Sequence, residues 1–245
     1  MNWCYKIRVF VIFFLLTALP ASANFMVYPM STKLSADNNT VLRAFSKKAE
    51  TQYLKLSVKK FINPGTAQEH EVLSQSWDRE SLIASPTKFI LPAGSSKAVR
   101  LNQTTPPSEE TLYRVYFESV NANESLAAED KTQQQPNINL SLNISYAALV
   151  RVLPENITFG LSALKDNGKI AIKNTGNIRA GITSIAFCKS NEITKECHKV
   201  KYRRYIYPQQ RSETKFTQPD GFNWLLITLK EEKVRGADKI ISLPL

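Results

Sequence analysis

The sequence predicts an all-β fold made of two β-sandwich domains. Three observations carry that expectation. Apolar residues recur with period two along most of the chain, turn signals built on Pro, Gly and Asn separate the alternating runs, and no helical period lasts beyond about two turns. Many short strands at even spacing are what a pair of facing sheets requires.

The elements follow in order. The first 23 residues are expected to lie outside the fold. Lys6 and Arg8 open a positive segment, "VFVIFFLLTAL" (9–19) is an apolar run of signal-peptide length, and "ASA" (21–23) is a small-residue cleavage site. The run falls short of the roughly 20 residues that a spanning helix needs. Export with cleavage before Asn24 is therefore expected. Next come "YLKLSV" (53–58), "KFIL" (88–91), "KAVRL" (97–101) and "LYRVYFESV" (112–120), divided by "INPGT" (62–66), "LPAGSS" (91–96) and "TTPPSEE" (104–110). Further strands are "KIAIKN" (169–174), "GITSIAF" (181–187), "KYRRYIY" (201–207), "ETKF" (213–216), "NWLLITL" (223–229) and "KIISL" (239–243). The expected boundary is "VLPENIT" (152–158), where Pro154 has no N–H for a ladder. It divides a domain over 24–153 from one over 154–245.

One stretch is unlike the rest. "NANESLAAEDKTQQQP" (121–136) has almost nothing to pack, and a structureless loop of that length is usually functional or disordered. It leads directly into "NINLSLNISY" (137–146), in which Ile138, Leu140, Leu142, Ile144 and Tyr146 alternate with Asn and Ser. Tyr146, Leu149, Val150 and Val152 are expected to serve the domain's own core. From the residues alone, Ile138 to Ile144 fit either that core or another protein's.

The chain carries a formal net charge of +11. Its lysines are spread over the polar positions of strands, with no zinc-finger or helix-turn-helix pattern, so no nucleic-acid partner is expected. The basic runs "KVKYRRY" (199–205) and "SVKKF" (57–61) read as solvated strand faces, or as attraction toward an acidic partner. Cys4 leaves with the leader. Cys188 and Cys197, an even pair in an exported chain, read as a disulfide around the polar segment "KSNEITKE". A metal site using His198 is the alternative, and it lacks a second ligand pair. The chain has two histidines, and neither stands in a catalytic or metal spacing. No phosphate loop or nucleophile elbow is visible. No enzyme activity, metal or cofactor is expected, and no membrane insertion.

The residues "ANFMVYPMSTKL" (23–34), "FILPAGSSKAVRL" (89–101), "LYRVYFESV" and "LNISYAALVRVLP" (142–154) resemble, in order and spacing, the periplasmic chaperones of pilus assembly by the chaperone–usher route. The branch most similar serves class 5, colonization-factor type, fimbriae. The resemblance covers essentially the whole chain after the leader. It implies two immunoglobulin-like sandwiches in a boomerang arrangement with an inter-domain cleft, located in the periplasm. It also implies pilin subunits (the major pilin, and a tip adhesin as a further client) and an outer-membrane usher as partners. Ile138, Leu140, Leu142 and Ile144 would be the strand lent to an incomplete pilin, which is strand addition. A basic pair in the cleft would bind the pilin's C-terminal carboxylate. Here Ala147 occupies the usual lysine position, which leaves Lys33 and Arg151 as candidates. An unprotected donor edge is an aggregation hazard, so self-capping or a homodimer is expected of the free protein. The runner-up is a secreted structural subunit or adhesin-type sandwich, which would carry its donor extension at the free N-terminus.

Overall fold

A computed structural model describes residues 24–35, 40–75, 77–120, 144–166, 168–230 and 239–245. The expected leader (1–23), the expected polar loop (121–136) and Ile138, Leu140 and Leu142 lie outside the described residues. All regular structure among the described residues is strand. The first strands are β1 (Phe25–Tyr28), β2 (Ser31–Leu34), β3 (Thr40–Ser46), β4 (Gln52–Ile62), β5 (His70–Leu73), β6 (Leu82–Ser85), β7 (Lys88–Leu91), β8 (Ser96–Gln103), β9 (Thr111–Val120) and β10 (Ser145–Val152). Then come β11 (Leu161–Asp166), β12 (Lys169–Asn174), β13 (Ala180–Cys188), β14 (His198–Ile206), β15 (Arg211–Thr217), β16 (Trp224–Leu229) and β17 (Lys239–Pro244).

β1–β10 make two sheets, one ordered β1-β3-β8-β6 and the other β2-β10-β9-β4-β5 with β7 beside β4. One core joins them. It packs Phe25, Leu42 and Val99 of the first sheet against Leu54, Phe117 and Val150 of the second. β11–β17 make sheets ordered β11-β12-β15 and β14-β13-β16-β17 around a second core that includes Ile170, Ile172, Ile185, Phe187 and Leu225. No buried residue is shared between the two cores. The chain is thus an all-β pair of sandwiches.

The strand expectations "KFIL" and "KIAIKN" stand, as β7 and β12. Sequence reading passes over β3, β5, β6 and β11. In β3 the period is hidden because Thr40 and Ser46 point inward while Val41 is exposed. Hydrogen bonds tie these polar positions together: buried Gln52 donates Nε2 to the Asn24 carbonyl at 2.8 Å and to Ser46 Oγ at 3.1 Å. β5 has no buried residue, so it carries no pattern to read.

Leu149 needs a correction. Tyr146, Ala148, Val150 and Val152 face the core, and Leu149 has the opposite parity. It lies beside Arg114 of β9 and Ser31 of β2. Period two allows consecutive residues only one inward place, and Val150 holds it.

Cys188 and Cys197 are bonded to each other, joining the end of β13 to the residue before β14. Their separation of nine residues closes a short loop, for which chain-entropy arguments give about 2–3 kcal/mol. The Cys188→Ser/Cys197→Ser variant is expected to lose about that much in chemical denaturation. An unchanged midpoint would show that the loop is held by its other contacts.

Candidate functional site

Two features stand apart from ordinary sandwich packing, and β10 takes part in both. The first is its edge. β9 pairs with all of β10, from Ser145 to Val152. β2 runs parallel to it on the other side, in register only from Leu149 to Val152. The Leu149 amide donates to the Met30 carbonyl at 2.9 Å, and there the second ladder begins. Among the described residues, Ser145 to Ala148 therefore pair on one side alone. At this end the core is closed by Phe25 and Tyr146, whose rings meet edge-on with centroids 4.9 Å apart. Ile144 directly precedes β10 and is half-buried. Its parity is that of Tyr146, Ala148, Val150 and Val152. Ile138, Leu140 and Leu142 share that parity in the sequence.

The second feature is a cavity of about 360 Å³ between the two sandwiches, lined by Lys33, Arg151, Leu153, Ile157, Phe159, Arg179, Tyr205, Leu229, Lys230 and Lys239 among others. Lys33 and Arg151 are direct register partners across the β2–β10 ladder, so the strand pairing brings these two sequence candidates together. No carboxylate lines the cavity among the described residues. The apolar wall is partly exposed, with Ile157 and Phe159 each nearly half open to solvent. Lys239 Nζ sits 4.4 Å from the centre of the Phe159 ring. Cationic side chains beside an apolar wall suit a chain end that carries a carboxylate.

Arg151 has a further task. Its side chain is 6% exposed and faces Glu110, which is fully buried. Nε donates to Oε1 at 2.6 Å and Nη2 to Oε2 at 2.7 Å, a bidentate pair. The Arg179 backbone N–H donates to the same Oε2 at 2.9 Å, and Arg179 Nε lies 3.8 Å from Oε1. Glu110 therefore joins an arginine of the first sandwich to one of the second. The neighbouring contacts are of the same kind. The Glu110 amide donates to the Asn177 carbonyl at 2.8 Å, and Gln210 Nε2 donates to the Pro64 carbonyl at 2.8 Å. Gly65, at φ +77°, has the Tyr207 ring against it, and a Cβ there would come within 3.0 Å of the ring. Burial raises the Tyr207 phenol above its ordinary value, and the hydrogen bond with Arg179 opposes that shift.

Sequence reading misses Glu110, Arg179, Tyr205, Lys230 and Lys239. Glu110 closes a Pro-rich turn signal, and nothing local separates it from Glu109. Among the described residues no group of three His, Cys, Asp or Glu is arranged to hold a metal ion.

Comparison with known proteins adds to this geometry. No family model matches the chain. It is 40% identical over 237 residues to a CFA/I fimbrial subunit of Escherichia coli, covering 95% of this chain and 98% of that protein. It superposes on the crystal structure of the class 5 fimbriae chaperone CfaA with a TM-score of 0.77 and 41% identity, covering 91% of this chain and all of that one. A chain from a chaperone–tip adhesin complex of CFA/I fimbriae biogenesis matches with a TM-score of 0.76 and 39% identity, again over 91% of this chain and all of the other.

Proposed function

Because the chain belongs to the family of class 5 fimbriae chaperones, we propose that it captures fimbrial subunits by lending them the strand that runs into β10. Its work as a chaperone of fimbrial subunits follows from the family. The donor strand, its anchor, the cleaved leader and the domain limits at 24–153 and 154–245 belong to the proposal. So do the periplasmic location, the non-enzymatic mode of action, the usher as recipient and both the major pilin and a tip adhesin as clients.

One observation carries the mechanism. From Ser145 to Ala148, β10 is paired on one edge only among the described residues, with its even-numbered side chains directed into the core. The preceding residues keep that parity with Ile138, Leu140, Leu142 and Ile144. A strand that leaves its own sandwich in this register presents aliphatic side chains and free backbone groups to a sandwich that lacks a strand. The driving force is burial and pairing, so no nucleotide is needed. The runner-up, a structural subunit, is disfavoured by the two complete cores and by the likeness to a chaperone along nearly the whole chain.

The cleft fits the other end of the client. Lys33 and Arg151 form its basic floor, with Arg151 held in place by Glu110. Lys33→Ala is expected to weaken capture of a subunit with a native C-terminus by about tenfold, the value of one charge-assisted bond. A subunit lengthened at its C-terminus should be insensitive to the change. Equal affinity of Lys33→Ala for the native subunit would retire the assignment. The mechanism as a whole is tested by co-expression with a fimbrial subunit. The subunit should accumulate only with this partner, as a one-to-one complex, and equal recovery without it would contradict the reading.

A further inference from the structure

The cleft continues past Tyr205. A second cavity of about 520 Å³ adjoins the first, and the two share Gly181, Tyr205 and Lys230. Arg203, Arg204 and Thr183 line the rest of its polar wall, and both arginines are exposed. The local sequence explains how they come to converge. β14 is the outer strand of its sheet. The register slips between Ile182 and Ser184, so β14 carries one residue more than β13 over this interval. A bulge of this kind re-aims side chains. Arg203, Arg204 and Tyr205 are all exposed, where strict alternation would turn one of them inward. Tyr205 is fixed as a partition between the cavities. Its ring lies against Gly181, where a Cβ would approach to 2.9 Å, and the Arg179 guanidinium covers it at 4.4 Å.

Among the described residues no carboxylate lines this second cavity, and no ion pair engages Arg203, Arg204 or Lys230. Isolated lysines on a sheet edge serve to prevent edge-to-edge pairing. Two arginines turned toward one concavity by a bulge, and joined there by a lysine shared with the cleft, exceed that need. Arginine's planar fork is suited to carboxylates.

We propose that this second cavity is a carboxylate subsite for the captured subunit, taking an Asp- or Glu-bearing stretch next to the chain end that docks in the cleft. The inference rests on the cleft reading given above. Charge complementarity and continuity with the cleft select this occupant.

The test compares Arg203→Ala/Arg204→Ala with Leu140→Asp and with the unaltered protein, each assayed for capture of a co-expressed fimbrial subunit at low salt and at about 0.5 M salt. The arginine variant should melt normally and bind about tenfold more weakly at low salt. The difference should vanish at high salt, where screening acts within a few ångströms. Arg203→Lys/Arg204→Lys should recover part of the loss. Equal binding at low salt, or a deficit that high salt leaves in place, overturns the subsite. If Leu140→Asp loses capture while the arginine variant does not, only the subsite falls. If Leu140→Asp binds normally, the donor-strand reading falls and takes the subsite with it. Loss of binding to phosphatidylglycerol vesicles with capture unchanged would assign the arginines to a membrane surface and overturn the proposal.

Discussion

Leu140→Asp and Leu142→Asp are each expected to abolish subunit capture while leaving the free chaperone's melting temperature unchanged. Fully burying an aliphatic side chain contributes about 1.5–3 kcal/mol, so Ile138, Leu140, Leu142 and Ile144 together offer on the order of 6–12 kcal/mol before ordering costs. Fixing a strand that follows a long polar sequence takes back part of that gain. An aspartate at either position loses one aliphatic contribution and forces a carboxylate into an apolar groove, which costs several kcal/mol more. The sum exceeds about 4 kcal/mol, roughly a thousandfold in affinity. The free protein is expected to lose little, because Tyr146, Ala148 and Phe25 pack its core at this end. Unfolding of either variant, followed by circular dichroism, would place these leucines in the chaperone's own core instead.

Glu110→Ala is expected to produce the largest loss of stability. The substitution leaves the guanidinium of Arg151, 6% exposed, and the neighbouring Arg179 without their shared carboxylate. Breaking a buried ion pair from one side costs about 3–5 kcal/mol, although the intact pair itself adds little net stability. For a chain of this size that corresponds to a fall of roughly 10 °C in Tm. Capture should fall as well, since the same carboxylate spans the two sandwiches and holds Arg151 at the cleft floor. For this reason Lys33→Ala is the cleaner probe of the carboxylate anchor, and Arg151→Ala mixes anchoring with architecture. A Glu110→Ala protein that melts within a degree or two of the unaltered chain would show that solvent reaches the triad.

The fold is largely legible in the sequence because its signal is local. Alternating isoleucines mark β12, short apolar runs mark β7 and β16, and turn residues mark the gaps between strands. Pro154 marks the passage between the two cores. The disulfide follows from cysteine parity in a chain whose start reads as an export signal. β3 is hidden because a buried hydrogen-bonded trio of Asn24, Ser46 and Gln52 replaces apolar contacts at one end of the first sheet. The site is legible in part. The alternating face before Tyr146 can be read directly, but its meaning depends on which half of β10 has a second neighbour, and that is a property of the sheet. The strand ladder makes neighbours of Lys33 and Arg151. Glu110, Arg179 and Tyr205 escape sequence reading because their roles come from packing between distant positions. Glu110 meets Arg179 across 69 positions, and Arg179 in turn covers the Tyr205 ring. The exposure of Arg203 and Arg204 depends on a bulge that composition does not reveal.

The central claim is that residues before β10 become a strand of another protein. Backbone amide exchange measured across 138–144, in the free chaperone and in its complex with a fimbrial subunit, tests this most directly. Strand addition predicts rapid exchange in the free protein and strong protection in the complex, with the protection continuing into Ser145–Ala148, whose second edge has no partner among the described residues. A stable one-to-one complex in which these amides exchange as fast as before would contradict the account.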